Sequence, residues 1–86
     1  MPLNETPNLP GWEVVNGHHL RKVFPFPDFQ KGLDFVNRVG AAAEAQGHHP
    51  DLLLSWGKVE VTTFTHTADG LTAADYTLAA KIDQVL

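Results

Sequence analysis

Two stretches near the start of the chain alternate apolar and polar side chains in the manner of β-strands. Residues 12–15 and 18–24 flank Asn16-Gly17, a dipeptide that readily supplies the two positive φ angles of a tight hairpin turn. In the second stretch one face is apolar except for Lys22, so that face should be buried and the other wetter. The apolar positions on this face, continued past the strand, are Leu20, Phe24 and Phe26. The pattern predicts a β-hairpin that the following prolines bring to an end.

From Asp28 onward the apolar residues recur at steps of three and four, which indicates an α-helix with one apolar face. Asp28 is a favourable N-cap and Gly47 a favourable C-terminal stop, so the predicted helix spans the residues between them. The predicted buried stripe consists of Phe29, Leu33, Val36, Gly40 and Ala43. The small residues at 40–43 should keep the helix thin and suit close packing against a sheet or a neighbouring subunit.

The second half of the chain repeats this arrangement. Residues 52–55 and 58–66 flank a short turn, and the alternation in the second of these stretches predicts a strand that His66 closes. The last element opens with Thr72 and Asp75 in a capping-box pattern, in which each side chain satisfies a free backbone amide. Its apolar stripe continues through Leu78, Ile82 and Val85. A second hairpin and a second helix are therefore predicted.

The predicted order of elements is strand, strand, helix, strand, strand, helix. This order favours an α+β fold of two layers, in which a four-stranded antiparallel sheet carries both helices on one face. The 86 residues leave no room for a second core, so we expect residues 1–86 to form one domain, with residues 1–10 as an extended N-terminal segment. Because small domains of roughly 60 residues bury only about 60% of their unfolded surface, self-association is expected.

Composition removes several classes of function. The chain has no cysteine, which excludes disulfides, thiolate nucleophiles and zinc sites built on sulfur. The formal net charge is −4 and the few basic residues are scattered, so the basic patch of a nucleic-acid binder is missing. No apolar run reaches membrane-spanning length, and the N-terminus lacks the basic start of a signal peptide. We therefore expect a cytoplasmic protein that binds neither nucleic acid nor membrane.

Histidine is the unusual feature of the composition, with five in the chain and four of them in adjacent pairs. His48 and His49 follow the predicted end of the first helix, where Pro50 biases His49 toward extended backbone. His66 lies at the predicted end of the fourth strand. Since the ends of central elements can meet, the three imidazoles can converge on one cleft, and imidazole both donates and accepts protons near neutral pH. From the residues alone, a solvated loop explains His48 and His49 equally well.

Other polar residues have simpler explanations. His18 and His19 lie beside a turn and are expected to be ordinary surface residues. Asp75 is explained by the capping box. Glu44 lies near the C-terminal end of the first predicted helix, where its charge is mildly unfavourable with the helix dipole, which favours a second role for it.

Rival chemistries find little support. Adjacent histidines rarely bind one ion from regular structure, and no His-Glu-x-x-His motif is present, so no metal is expected. Ser55 is the only serine and has no nucleophile-elbow motif around it. No glycine-rich phosphate loop occurs, so nucleotide hydrolysis is unsupported.

The sequence closely resembles the pterin-4a-carbinolamine dehydratase family over nearly its whole length. The residues that carry the resemblance are 9–12, 24–29, 44–51, 58–61, 65–66, 70–75, 78–79 and 82–83. A histidine pair followed by proline, then a Thr-His pair, then Gly-Leu-Thr with an aspartate three residues further on, is a specific combination. Gly47 and Ala74 depart from the acid or amide and the basic residue that many animal members carry there.

The resemblance implies dehydration of 4a-hydroxytetrahydropterin to quinonoid dihydropterin, which recycles the tetrahydropterin used by aromatic amino-acid hydroxylases, with no metal or organic cofactor. His48 and His66 would be the acids that protonate the departing hydroxyl, while His49 would hold the ring and assist proton removal from its nitrogen. The positions implied to support or shape the site are Glu44, Pro50, Thr65 and Asp75. Family analogy also implies a homodimer that joins two sheets, or a homotetramer paired through helices.

Two alternatives to this dehydratase stay open. Animal members of the family also act as dimerisation cofactors of a transcription factor, so this chain could be a non-catalytic binding module. Alternatively, the same fold and histidines could serve an enzyme that acts on another pterin.

Overall fold

The computed structural model describes residues 9–86, which form one four-stranded sheet and two α-helices. The elements are β1 (Glu13–Val15), β2 (His19–Pro25), α1 (Phe29–Gln46), β3 (Asp51–Ser55), β4 (Lys58–Thr63), a short 3-10 helix (His66–Ala68) and α2 (Ala73–Gln84). This succession confirms the predicted β-β-α-β-β-α order and the α+β class. No helix within residues 9–86 is long and apolar enough to cross a membrane, and the cytoplasmic location stays a prediction.

The sheet order is β1-β2-β4-β3, and every neighbouring pair is antiparallel. The first hairpin turns at Asn16 and Gly17, whose φ angles are 54° and 64°, which confirms the turn predicted from this dipeptide. Across the central pair, Leu20 lies opposite Thr63 and Phe24 opposite Val59. These side chains are buried and share the sheet face that meets the core, as the alternation along β2 predicts.

The helix α1 begins and ends where predicted but buries a different face. The Asp28 carboxylate accepts from the Lys31 amide at 2.8 Å, and Gly47 ends the helix in the left-handed conformation. The buried stripe consists of Gly32, Phe35, Val39 and Ala43. Of the predicted stripe, Ala43 is buried and Val36 packs against the core as a partly buried residue. Elsewhere the centre of the buried face is displaced by about one residue from the prediction, or roughly 100° around the helix axis. Phe29, for instance, is 44% exposed.

Packing on the sheet explains this rotation. The Phe35 ring fills the space beside Phe24 and Phe26, with ring centroids 4.7 and 5.2 Å away. One turn earlier, a Cβ on Gly32 would lie 2.9 Å from Leu54 Cδ1, so the smallest residue occupies the closest approach of helix to sheet. At Gly40, where close packing was predicted, nothing within residues 9–86 lies within 4 Å of the corresponding position.

The fourth strand is shorter than predicted. β4 ends at Thr63, and Thr65 then makes an isolated antiparallel bridge with Gly70. His66 does not close the strand but begins the 3-10 helix, which ends at Asp69 with φ of 49°. His66 is therefore carried by a turn that projects from the end of the sheet.

A polar clamp ties the first described residues to the last helix. Asp83 accepts from Trp12 Nε1 at 3.1 Å and from Lys22 Nζ at 3.0 Å, and Lys22 also donates to the Pro10 carbonyl. This clamp explains why a lysine lies on the apolar face of β2. Most of the predicted extended N-terminal segment lies outside the described residues, and directly after it the Trp12 amide donates to the Leu9 carbonyl, so the chain turns there.

Candidate active site

A cleft of about 270 Å³ lies where the end of α1 meets the turn after β4. Its lining consists of Gly47, His48, His49, Thr65, His66 and Thr67. The structure therefore brings together the three histidines that the sequence analysis singled out, although His66 lies 17 positions after His49 in the sequence. His18 and His19 do not line this cleft.

Local backbone geometry aims the histidine pair into the cleft. Gly47 has φ of 71°, a left-handed conformation that glycine adopts without strain, and its amide donates to the Ala43 carbonyl at 2.9 Å. The His48 amide donates to the same carbonyl at 3.2 Å, so the chain turns sharply out of the helix. Pro50 immediately precedes β3 and is half-buried. The departure at Gly47 thus suits the turn that presents His48.

Asp75 is the centre of the polar network behind the cleft, and its side chain is fully buried. Its Oδ1 accepts from the Thr63 hydroxyl at 2.7 Å and lies 2.6 Å from His48 Nε2. Its Oδ2 accepts from the Thr65 hydroxyl at 2.8 Å and from the Thr72 amide at 2.9 Å. Four donors match the acceptor sites of one carboxylate, so the buried charge is well compensated.

Asp75 is held ionised by these donors. Burial alone would raise its pKa, but the hydrogen bonds from His48, from the Thr72 amide and from the two threonine hydroxyls outweigh burial, so the pKa lies below the ordinary value of 3.8. Because an ionised carboxylate only accepts hydrogen bonds, His48 Nε2 must carry a hydrogen. His48 Nδ1, for which no protein partner is found within residues 9–86, is then the nitrogen that can exchange a proton.

The threonines add direction to this network. Thr65 Oγ1 lies 2.7 Å from Thr72 Oγ1, and since the single Thr65 hydrogen is donated to Asp75, the Thr72 hydroxyl must donate to Thr65. Thr63 and Thr72 were not among the predicted site residues. The signal for Thr63 is a polar residue at an otherwise apolar strand position, because a hydroxyl buried there needs a partner.

The remaining two histidines differ in their surroundings. His49 Nε2 makes a short contact with Glu44 Oε2 one helical turn back, and both side chains are mostly exposed. Glu44 thus contacts a cleft histidine, and the second role suggested by its unfavourable position in α1 stays a prediction. The His66 ring has no hydrogen-bond partner within residues 9–86 and instead packs on Phe64, with ring centroids 4.3 Å apart. Within the same residues no group of three or more histidine and acidic side chains has the geometry to hold a metal ion.

Among the solved structures that match this chain, two illustrate the shared fold. The crystal structure of a transcriptional coactivator/pterin dehydratase from Brucella melitensis superposes with a TM-score of 0.83 at 32% identity, covering 90% of this chain and 83% of that one. A pterin dehydratase-like protein identified as a RuBisCO assembly factor in the alpha-carboxysome gives a TM-score of 0.69 at 24% identity, over 83% and 82% of the two chains. The architecture is that of the pterin dehydratases.

Sequence comparison then identifies the family. The model described as "Pterin 4 alpha carbinolamine dehydratase" matches residues 3–85, and this chain belongs to that family, as its sequence resemblance predicted. A relative named "Putative pterin-4-alpha-carbinolamine dehydratase" from Rubrobacter xylanophilus is 58% identical over 77 residues, covering 90% of this chain and 72% of that protein. A relative of the same name from Alkaliphilus metalliredigens is 52% identical over 73 residues, covering 85% and 66%.

Proposed function

We propose that this protein dehydrates 4a-hydroxytetrahydropterin to quinonoid dihydropterin, and that His48, His49 and His66 carry the proton transfers. The observation that supports this most directly is the single cleft lined by the three imidazoles, one of them backed by a buried and ionised carboxylate. The expected reaction needs two proton movements and no redox step. A proton reaches the hydroxyl oxygen, the carbon–oxygen bond breaks, water leaves, and the neighbouring ring nitrogen loses a proton.

His48 suits the role of the acid. Hydroxide is a poor leaving group, so proton transfer to the hydroxyl lowers the barrier to bond breaking. The carboxylate of Asp75 accepts from His48 Nε2 and holds the ring in one orientation, as the acid does in other Asp-His pairs. His48 Nδ1 would deliver the proton to the substrate.

His66 and His49 complete the proposed site from the other walls of the cleft. We assign His66 as a second acid, and His49 as the group that holds the pterin ring and assists proton removal from its nitrogen. The Glu44 carboxylate orients the His49 ring through Nε2, which leaves His49 Nδ1 available to substrate. Thr65 lines the same cleft and joins it to Asp75.

The size and charge of the cleft agree with this substrate class. Its volume of about 270 Å³ lies just below the usual range of ligand pockets, which starts near 300 Å³, and so suits a small bicyclic ring better than a polymer segment. The wall offers imidazoles and a threonine hydroxyl, which match the nitrogens and oxygens around a pterin. The substrate's side chain would extend into solvent at the open side.

The direct test follows ultraviolet absorbance after 4a-hydroxytetrahydropterin is generated enzymatically in the presence of the purified protein. Wild type should accelerate its disappearance, and each histidine should contribute about 10²- to 10⁴-fold if it acts as a well-placed acid or base. The double variant His48→Ala with His66→Ala should therefore lose nearly all of the acceleration. Full activity in that variant would contradict the histidine mechanism.

The same assay separates the alternatives. An enzyme for another pterin would turn over that compound in preference to the simple carbinolamine, so both must be compared at equal concentration. A binding module would show no turnover with either. The Brucella protein is described both as a transcriptional coactivator and as a pterin dehydratase, so this comparison is informative for the present chain.

We also propose that the chain forms a homodimer or homotetramer. β3 pairs only with β4 in the described sheet, so its outer edge offers free backbone groups, and Leu53 at its centre is 57% exposed. Pairing of two such edges would extend the sheet and cover these groups. Light scattering after size exclusion should give an integral multiple of the 9.4 kDa chain, and Leu53→Lys should lower it.

A further inference from the structure

A stack of three aromatic rings runs from the cleft to the turn between β1 and β2. Phe64 lies between two imidazoles, with its ring centroid 4.3 Å from that of His66 and 4.5 Å from that of His18. The rings are tilted by 44° and 42°, and their centroid separations lie at the short limit for favourable aromatic pairs, so the rings are in close contact. His18, expected to be an ordinary surface residue, is therefore connected to a cleft histidine through one ring.

The far end of the stack is tied back to the turn that carries His66. His18 Nε2 lies 3.0 Å from Asp69 Oδ1, and Asp69 ends the 3-10 helix that His66 begins. The Asp69 amide also donates to the His66 carbonyl at 3.2 Å. Side chains and backbone thus close a ring of contacts through His66, Phe64, His18 and Asp69.

Hydrogen bonding fixes the orientation of His18. Since the Asp69 carboxylate accepts, His18 Nε2 carries a hydrogen, and in the neutral ring Nδ1 is then an acceptor. His19 Nδ1 lies 3.1 Å from His18 Nδ1, so it is the donor in that state. Both histidines of the first pair are therefore used in holding the outer ring of the stack.

His66 needs such support more than the other cleft histidines do. His48 is oriented by Asp75 and His49 by Glu44, whereas the His66 ring has no hydrogen-bond partner within residues 9–86 and its residue is exposed. An exposed side chain on a turn samples several rotamers, and a proton transfer needs one of them. The contact with Phe64 is the interaction that restricts the ring.

We propose that Phe64 and His18 are positioning residues that hold the His66 imidazole in the cleft, with Asp69 as the anchor of the stack. This proposal rests on the proposed dehydratase function of the cleft. It adds two residues that neither touch the cleft nor belong to the histidine set discussed above.

The first measurement needs no substrate. The carbon-bound hydrogens of the His66 ring, assigned by their disappearance in His66→Asn, report the ring current of Phe64 in the NMR spectrum. Phe64→Leu removes the ring but keeps an apolar side chain, so these resonances should shift and the χ1 couplings of His66 should average. Phe64→Tyr keeps the ring and should preserve both. Phe29→Leu is the matched control, since Phe29 lies at the opposite end of α1 from the cleft and is exposed.

The second measurement is turnover by the same proteins. An aromatic contact of ordinary strength predicts that Phe64→Leu lowers kcat by roughly 3- to 10-fold with KM unchanged within about twofold. Phe64→Tyr and Phe29→Leu should retain wild-type kcat. His18→Gln removes the outer ring of the stack and should also lower kcat. This second variant keeps the proposal testable if Phe64→Leu does not fold.

The outcomes separate the two proposals. Unshifted His66 resonances and unaveraged couplings in Phe64→Leu would overturn the positioning role, and so would shifted resonances with wild-type kcat in both variants. If wild type itself shows no turnover, the dehydratase function fails, while the NMR data still decide whether the stack holds His66.

Discussion

His48 Nε2 lies 2.6 Å from Asp75 Oδ1, and the Asp75 side chain is fully buried. The two oxygens of this carboxylate have different tasks, because Oδ2 accepts the Thr72 amide at the start of α2 while Oδ1 faces His48. The capping explanation of Asp75 is confirmed, and the same side chain also contacts His48, so its support of the site stays a prediction that this contact favours. One buried charge joins the stability of the last helix to the orientation of a cleft imidazole.

Replacing Asp75 should reduce activity without removing the histidines. In Asp75→Asn an NH2 group replaces one of the two carboxylate oxygens, and each of these oxygens accepts from two donors in the wild type. The NH2 group cannot accept, so either His48 loses its fixed orientation or the Thr72 amide loses its cap. We expect kcat to fall by roughly 10- to 100-fold, short of the about 10²- to 10⁴-fold of a complete acid–base group. Steady-state kinetics in the ultraviolet assay would measure this, and kcat within twofold of wild type would contradict the Asp-His pair.

The Asp75 carboxylate should make the free energy of unfolding depend on pH in the acidic range. Because the folded pKa of Asp75 is lowered from 3.8, its ionisation stabilises the fold fully above that value, and this stabilisation is lost as the pH falls through the folded pKa. Asp75→Asn, which cannot titrate, should be less stable by about 2 to 4 kcal/mol near neutral pH. Urea unfolding across the pH range should show this difference constant down to about pH 5 and narrowing below about pH 4. A difference that widens in acid would have the wrong sign.

The other carboxylate–histidine pair should matter less. The side chains of Glu44 and His49 are 77% and 61% exposed, and exposed ion pairs contribute about 0 to 1 kcal/mol. Glu44→Gln keeps a hydrogen-bond acceptor, so we expect kcat to fall by less than about fivefold and stability to stay within about 0.5 kcal/mol of wild type. A loss as large as that in Asp75→Asn would show that Glu44 has a more direct part in the reaction.

Two glycines in α1 offer a matched test of packing. Alanine is favoured over glycine in a helix by about 0.5 to 1 kcal/mol, so Gly40→Ala, with open space at its Cβ position, should stabilise the fold by that amount. Gly32→Ala places a methyl group 2.9 Å from Leu54 Cδ1, and overpacking costs about 1 to 3 kcal/mol, so it should destabilise. Thermal and urea unfolding measure both. Equal effects would mean that α1 does not pack on β3 as described.

Sequence patterns predicted the elements better than the faces that these elements bury. Asp28 and Gly47 mark the ends of α1 through local capping chemistry, and local chemistry can be read from neighbouring residues. The stripe was misassigned because apolar and small residues surround much of α1, so several helix faces have a similar pattern. One face is selected only by the packing of the Phe35 ring against Phe24 and Phe26, which lie outside the helix.

The end of β4 shows the same limit. Alternation continues through Thr63 and Thr65 to His66, so the pattern alone predicts a longer strand. In the structure the Thr65 hydroxyl donates to Asp75, and the backbone of Thr65 pairs with Gly70 instead of a neighbouring strand. Beyond Thr63 the chain therefore makes contacts with the following turn and helix, which the alternation of neighbouring residues does not reveal.

The sequence by itself determined the order of strands and helices, the turns and caps between them, the family and the three candidate histidines, because each of these depends on short-range chemistry or on a specific motif. The tertiary structure decided which face of α1 is buried. It also decided that the Asp75 carboxylate both caps α2 and contacts His48, and that the Phe64 ring packs between those of His66 and His18. These depend on contacts between residues far apart in the chain, and such contacts form only when the sheet and helices pack together.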